Sequence, residues 1–130
     1  MHVFLSAKAK LAESLALADL IERQVHATGM TCFVAPRELQ RRGLHAGFMQ
    51  TIRAEIQRSD LMIVLYAPEL RGGLVELGMA YAIDIPIWLL CRAQEKVSST
   101  ALECASKILR YQDADDLGDQ LQSAVKQFFE

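Results

Sequence analysis

Long uncharged apolar runs are missing from this sequence. The most apolar region, Leu74 to Leu90, is broken by Glu76, Asp84 and Pro86, whereas a bilayer-spanning helix needs about 20 residues with almost no charge. A membrane span is excluded, and no membrane partner is expected. The opening residues place Lys8, Lys10 and Glu13 where a signal peptide would carry its apolar core, which predicts a cytoplasmic protein. An excess of either charge is missing too. With 14 Lys+Arg against 16 Asp+Glu, the formal net charge is -2, so no domain-wide basic field attracts a nucleic-acid backbone. Cys32, Cys91 and Cys104 are odd in number and widely spaced, which suits reduced core thiols and not a disulfide framework. His2, His26 and His45 show neither HxxxH spacing nor neighbouring cysteines. No metal site follows from them, and no cofactor is expected. Gly-x-Ser-x-Gly elbows and Walker loops are also absent, which removes support for serine-hydrolase and P-loop chemistry.

What the chain does have is enough apolar material for one core. Its 130 residues are 52% hydrophobic and 23% charged, the balance of an ordinary folded domain and not of a disordered tail. A single domain over residues 1–130 is predicted.

Apolar runs alternate with amphipathic stretches along the chain. His2 to Ser6 reads as a strand, and Leu11, Leu15, Ala18, Ile21 and Val25 mark a helix face that ends at Gly29. Thr31 to Ala35 is a second strand, stopped by Pro36. The polar stretch from Arg37 to Gly47 holds two glycines and no apolar period, so a long mobile loop is expected there. Its Arg37, Arg41 and Arg42 are either phosphate contacts or a solvated charge cluster.

Phe48, Ile52 and Ile56 mark one face of a short helix. Leu61 to Leu65 is continuously apolar, as a central parallel strand covered on both faces should be. Pro68 and the Gly72-Gly73 pair break the chain before a helix over 74–82. Ile85 to Leu90 is a fourth strand with Pro86 near its start, and Ile108 to Tyr111 a weak fifth. A last helix, capped by Asp113 or Asp115, carries Leu117, Leu121, Val125 and Phe128 on one face. This alternation predicts an α/β, flavodoxin-like three-layer fold. Its five-stranded parallel sheet has order 2-1-3-4-5 with helices on both faces, and ligands in such sheets bind outside the carboxyl ends of the strands.

The chemistry-bearing residues cluster behind those strand ends. Glu76 stands near the start of the helix after strand three. It is either a carboxylate aimed into the ligand crevice or an acid that favours the helix macrodipole. Gly72 and Gly73 let the backbone approach a ligand closely. Ser6 and Lys8, after strand one, are phosphate candidates or solvated residues at a helix start. Ser98, Ser99 and Thr100, after strand four, are hydroxyl donors to phosphate or an N-cap without a ligand. Asp60, leading into strand three, is a candidate for orienting sugar or base.

Three segments together resemble the nucleoside 2-deoxyribosyltransferase family and its relatives that hydrolyse nucleoside 5'-monophosphates. They are Ser59-Asp-Leu-Met-Ile-Val-Leu-Tyr66, Gly72-Gly-Leu-Val-Glu-Leu-Gly-Met-Ala-Tyr-Ala82 and Pro86-Ile87. The resemblance implies a catalytic Glu76 acting at the anomeric carbon. It also implies Ser99, with Ser98 and Thr100 as alternates, binding the 5'-phosphate in the neighbouring subunit of a homodimer or higher homo-oligomer. The substrate would be a small nucleotide.

The match has departures. Phe4 stands where the family often has a strand-one tyrosine, and the family aspartates before strand three and before the glutamate are missing, so hydrolysis fits better than transfer. Val3-Phe-Leu-Ser6, Gly29-Met-Thr-Cys-Phe-Val-Ala-Pro-Arg-Glu38 and Ile52 to Val64 ahead of Glu76 are also similar to bacterial TIR domains. Some of those cleave NAD, and others only bind partner domains. A third reading is a catalytically silent nucleotide-binding sensor.

Overall fold

The computed structural model describes residues 1–43 and 45–128. Five strands, β1 (His2–Ser6), β2 (Thr31–Val34), β3 (Leu61–Leu65), β4 (Ile87–Arg92) and β5 (Lys107–Tyr111), form one sheet ordered β2-β1-β3-β4-β5. All four pairings are parallel. The expected α/β order is therefore the observed one. Six helices cover the sheet: α1 (Ala12–His26), α2 (Ala35–Arg42), α3 (Phe48–Gln57), α4 (Gly72–Ala82), α5 (Ser99–Cys104) and α6 (Ala114–Phe128). None is long and apolar enough to cross a membrane.

The uniformly apolar β3 makes sense once its two faces are separated, because successive strand side chains point to opposite sides. Leu61, Ile63 and Leu65 join Val3, Leu5, Trp88 and Leu90 under Ile21 and Val25 of α1 and Leu117, Leu121 and Val125 of α6. Met62 and Val64 join Phe4, Leu89 and Cys91 under Ile52 and Ile56 of α3 and Leu77 and Ala80 of α4. Each fully buried aliphatic side chain contributes roughly 1.5–3 kcal/mol of transfer free energy, so the sheet is held from both sides. Phe4 stacks on Phe33 with ring centroids 5.4 Å apart, so this strand-one side chain serves packing. Cys32, Cys91 and Cys104 are free thiols, and burial pushes Cys32 up to about 12.

Several boundaries differ from the sequence reading. The expected loop after β2 begins with helix α2, whose Pro36 occupies the first turn, where its missing N–H costs nothing. Leu39 packs against the α3–α4 core, and one large apolar residue in eight positions leaves no period to read. Salt bridges supply what burial does not: Arg37 binds Glu22 at 2.6 Å and Asp19 at 3.0 Å on α1, while Arg41 and Arg42 pair with Glu38. The arginine cluster is thus internally engaged. Gly43, at φ 69, ends the helix in a conformation that favours glycine, and Leu44 of the expected loop lies outside the described residues. Helix α4 starts at Gly72, so the glycine pair belongs to its first turn; β4 runs two residues later than expected. Asp113 caps α6, accepting the Asp116 N–H at 2.8 Å.

Candidate functional site

Parallel strands deliver their carboxyl ends to one edge of the sheet, and the groups that follow β1 and β3 meet there. Ser6 closes β1. After β3 the chain turns through Pro68, Glu69 and Leu70, with Glu69 at φ 61, a left-handed conformation that costs a non-glycine residue about 1–2 kcal/mol. That turn aims α4 back across the end of β1. Glu76, one turn into α4, is 8% exposed, and Ser6 is 1% exposed. The Ser6 hydroxyl donates to Glu76 Oε1 at 2.6 Å.

Gly73 makes this contact possible. A methyl group at Gly73 would lie 2.8 Å from Ser6 Oγ and 2.8 Å from both Leu70 methyls, inside van der Waals contact. Any side chain there competes with the serine for space.

The Glu76 carboxyl forms part of the wall of a cavity of about 130 Å³. Ala7, Lys8 and Ala9 line it from the β1–α1 loop, Ala35, Pro36 and Leu39 from α2, Phe48 from α3, and Leu70 to Gly73 from the approach to α4. Lys8 reaches across and donates to the Pro68 carbonyl at 3.0 Å. Burial pushes the Glu76 carboxyl up to about 7, from an ordinary value of 4.5, against the opposing pull of the Ser6 hydrogen bond. The group therefore changes charge near neutrality. As a carboxylate in apolar surroundings it would strongly favour a positive charge developing beside it. Glu76 is the one acid among the residues lining this cavity, so the paired carboxylates of a typical glycosidase are not assembled here.

Lys8, Gly72, Gly73 and Glu76 from the sequence reading come together on this cavity, and Ser6 sits behind Glu76 as its hydrogen-bond donor. Asp60 does not join them. It precedes β3 at the amino edge of the sheet, where its carboxylate accepts the His2 amide at 2.9 Å. A residue leading into a parallel strand lies a strand's length from the residues that follow it, which corrects the expected role of Asp60 beside the sugar or base. Ser98 and Ser99 are likewise away from this chain's cavity. Ser98 Oγ accepts the Ala101 N–H at 3.4 Å as the N-cap of α5, and Ser99 is exposed in the first turn. The sequence reading passed over Arg71 and the apolar wall of Pro36, Leu39 and Phe48. Arg71 adjoins the glycine pair, a signal that was present; the wall forms only through tertiary packing.

Fold and site together define a class: a doubly wound α/β domain with, among the described residues, a single buried acid, at the carboxyl edge of its sheet. No family model matches the sequence, and no curated protein does. Among solved structures the chain is similar to a 2-deoxyribosyltransferase from Bacillus psychrosaccharolyticus, with a TM-score of 0.75 and 17% identity over 96% of each chain. It is also similar to the CMP N-glycosidase BcmB of Clostridium botulinum, with a TM-score of 0.69 and 17% identity over 93% of this chain and 98% of that one. A conserved protein from Enterococcus faecalis V583 superposes with a TM-score of 0.69 and 12% identity, over 95% and 98% of the two chains. The shared property at these identities is the fold.

Proposed function

We propose that this protein is an N-glycosidase that hydrolyses the base–sugar bond of a nucleoside 5'-monophosphate, with Glu76 at the anomeric carbon. The observation that carries this reading is the buried Glu76 carboxyl, hydrogen-bonded to Ser6 on a cavity at the carboxyl edge of the sheet. A deoxyribosyltransferase and a CMP N-glycosidase that share the fold support it. As the C–N bond breaks, its electron pair leaves with the base nitrogen and the anomeric carbon becomes cationic. The carboxylate stabilises that cation or captures it as an ester. Water then forms the new C–O bond, releasing the carboxylate where an ester had formed; one of its hydrogens stays on the new C1 hydroxyl and its other proton goes to the nitrogen of the released base. Ser6 keeps one carboxylate oxygen engaged and so favours the ionised form. Phe4, in place of a tyrosine, supplies no second hydroxyl to the acid, and together with the missing aspartates before β3 and before Glu76 this favours hydrolysis over sugar transfer.

The test is incubation with a panel of nucleoside monophosphates, free nucleosides and NAD, with free base read by chromatography. Base release from a monophosphate is expected. Release from NAD alone would favour the TIR-like reading. No release, together with a melting temperature raised by a monophosphate, would favour a silent sensor.

The same reading includes a homodimer, in which Ser99 would serve the partner's site. An exposed apolar strip supports it: Val75 and Ile83 of the α4 segment are 56% and 45% exposed, and Met49 of α3 is 45% exposed. Ile83 lines a groove of about 230 Å³ together with Ile56, Met79, Ala82, Arg53 and Gln57, and exposed apolar side chains gathered on one surface mark association sites. Light scattering at micromolar concentration is expected to give at least a dimer. A monomer would remove the shared-site arrangement while leaving the Glu76 chemistry in place.

A further inference from the structure

The Glu76 cavity carries positive charge that the fold does not use. Three charged residues line it, Lys8, Arg71 and Glu76. The Lys8 ammonium meets only a neutral acceptor, the Pro68 carbonyl. The exposed Arg71 guanidinium has no ion pair or hydrogen bond among the described residues, as is also true of Arg23 and Arg53, but of these three Arg71 is the one that lines the Glu76 cavity. The backbone that carries Arg71 is nonetheless fixed, because its carbonyl accepts the Leu74 and Val75 amides at 3.1 and 3.2 Å as the first bonds of α4. An anchored root, an unengaged head and an adjoining Gly72 with open space around its α-carbon leave the guanidinium available at the cavity without an existing pair to break.

We propose that Arg71 is a phosphate-binding, specificity-determining residue of this site, with Lys8 as its weaker partner, so that the cavity favours phosphorylated N-glycosides over free nucleosides. The inference rests on the Glu76 cavity being the substrate site. A guanidinium presents a planar fork of donors that matches two phosphate oxygens, while an ammonium acts as a point charge. Two cations against one carboxyl also make the cavity attractive to a dianion. The phosphate can be a 5'-monoester or the diphosphate of a dinucleotide, and the same fork suits both.

The experiment compares the full-length protein with Arg71→Ala, Arg71→Lys and, as a control on the exposed side of α1, Arg23→Ala. Base release is measured from a nucleoside 5'-monophosphate, the matching free nucleoside and NAD, and ribose 5-phosphate binding is measured separately by calorimetry. Arg71→Ala is expected to raise KM for the phosphorylated substrate about 10- to 100-fold, the range of a charge-assisted contact. Little change is expected in kcat or in activity toward the free nucleoside. Ribose 5-phosphate affinity should fall by a similar factor, Arg71→Lys should recover part of it, and Arg23→Ala should match the parent. The same dependence with NAD alone would assign the phosphate to a dinucleotide. If the parent releases no base but Arg71→Ala still abolishes ribose 5-phosphate binding, the hydrolase reading fails and the phosphate site stands. Unchanged ribose 5-phosphate affinity in Arg71→Ala, or equal loss toward nucleoside and nucleotide, overturns the inference.

Discussion

Glu76→Gln is expected to lower base release by at least about 100-fold, the lower end of what a positioned catalytic group supplies, with substrate binding retained. Glutamine keeps the shape and can still accept the Ser6 hydroxyl, so the loss isolates the negative charge, whose effect is largest on the cationic transition state. Stability should move the other way. The folded carboxyl ionises near 7 against an ordinary 4.5, so between those values the folded state holds a proton that the unfolded chain has released. Parent stability must therefore fall as pH rises through that window and stay low above it. Glutamine does not titrate. Denaturant unfolding should show the variant more stable than the parent at pH 8 by up to roughly 3 kcal/mol, since each pKa unit corresponds to about 1.4 kcal/mol, and the gap should close toward pH 4. A gap independent of pH would mean that Glu76 is not the group that titrates.

Gly73→Ala should be the most damaging conservative change outside the acid itself. In open space, alanine would favour the helix by about 1 kcal/mol over glycine, and at Gly72 and Gly78, where nothing lies within 4 Å of the added methyl, that gain is expected. At Gly73 the methyl meets Ser6 Oγ and the Leu70 methyls. The Leu70 tip can give way, but the buried serine can yield only by turning off the carboxyl. Loss of that hydrogen bond pushes Glu76 further up, by about one unit or more for a contact of this kind. The acid limb of the rate profile should shift to higher pH by the same amount, with activity at neutrality falling about fivefold for a one-unit shift and largely returning above pH 9. Ser6→Ala should reproduce the shift. A uniform loss at every pH would point to a misplaced helix instead.

The parts of the fold that could be read in advance were those where burial dictates sequence. β3 is apolar at every position because both of its faces are covered, and the period of α6 records its single buried side. Helix α2 was hidden because ion pairs and one leucine hold it, and neither leaves a period. In the site, Glu76 was legible from its neighbours in sequence, while the wall contributed by Pro36, Leu39 and Phe48 depends on three separate elements converging. Asp60 was misplaced through overlooked polarity: in an all-parallel sheet, the residue before a strand and the residues after it face opposite edges. The seryl run after β4 carried two meanings in sequence, and within this chain the Ser98 hydrogen bond uses one of them as a helix cap.

Trp88 gives the molecule an internal optical marker with a defined field of view. It is the sole tryptophan of the chain, and it is buried near the amino end of β4 on the α1–α6 side of the sheet. Its indole meets Phe128 edge-on at 5.5 Å and lies under the Lys107 ammonium at 5.6 Å. The Glu76 cavity lies at the opposite edge of the sheet and on its other face. Indole emission therefore follows detachment of the final helix from the sheet and is blind to occupancy of the cavity. With excitation on the red edge of the indole band, where nucleotide bases do not absorb, unfolding can thus be followed by fluorescence with ligand present.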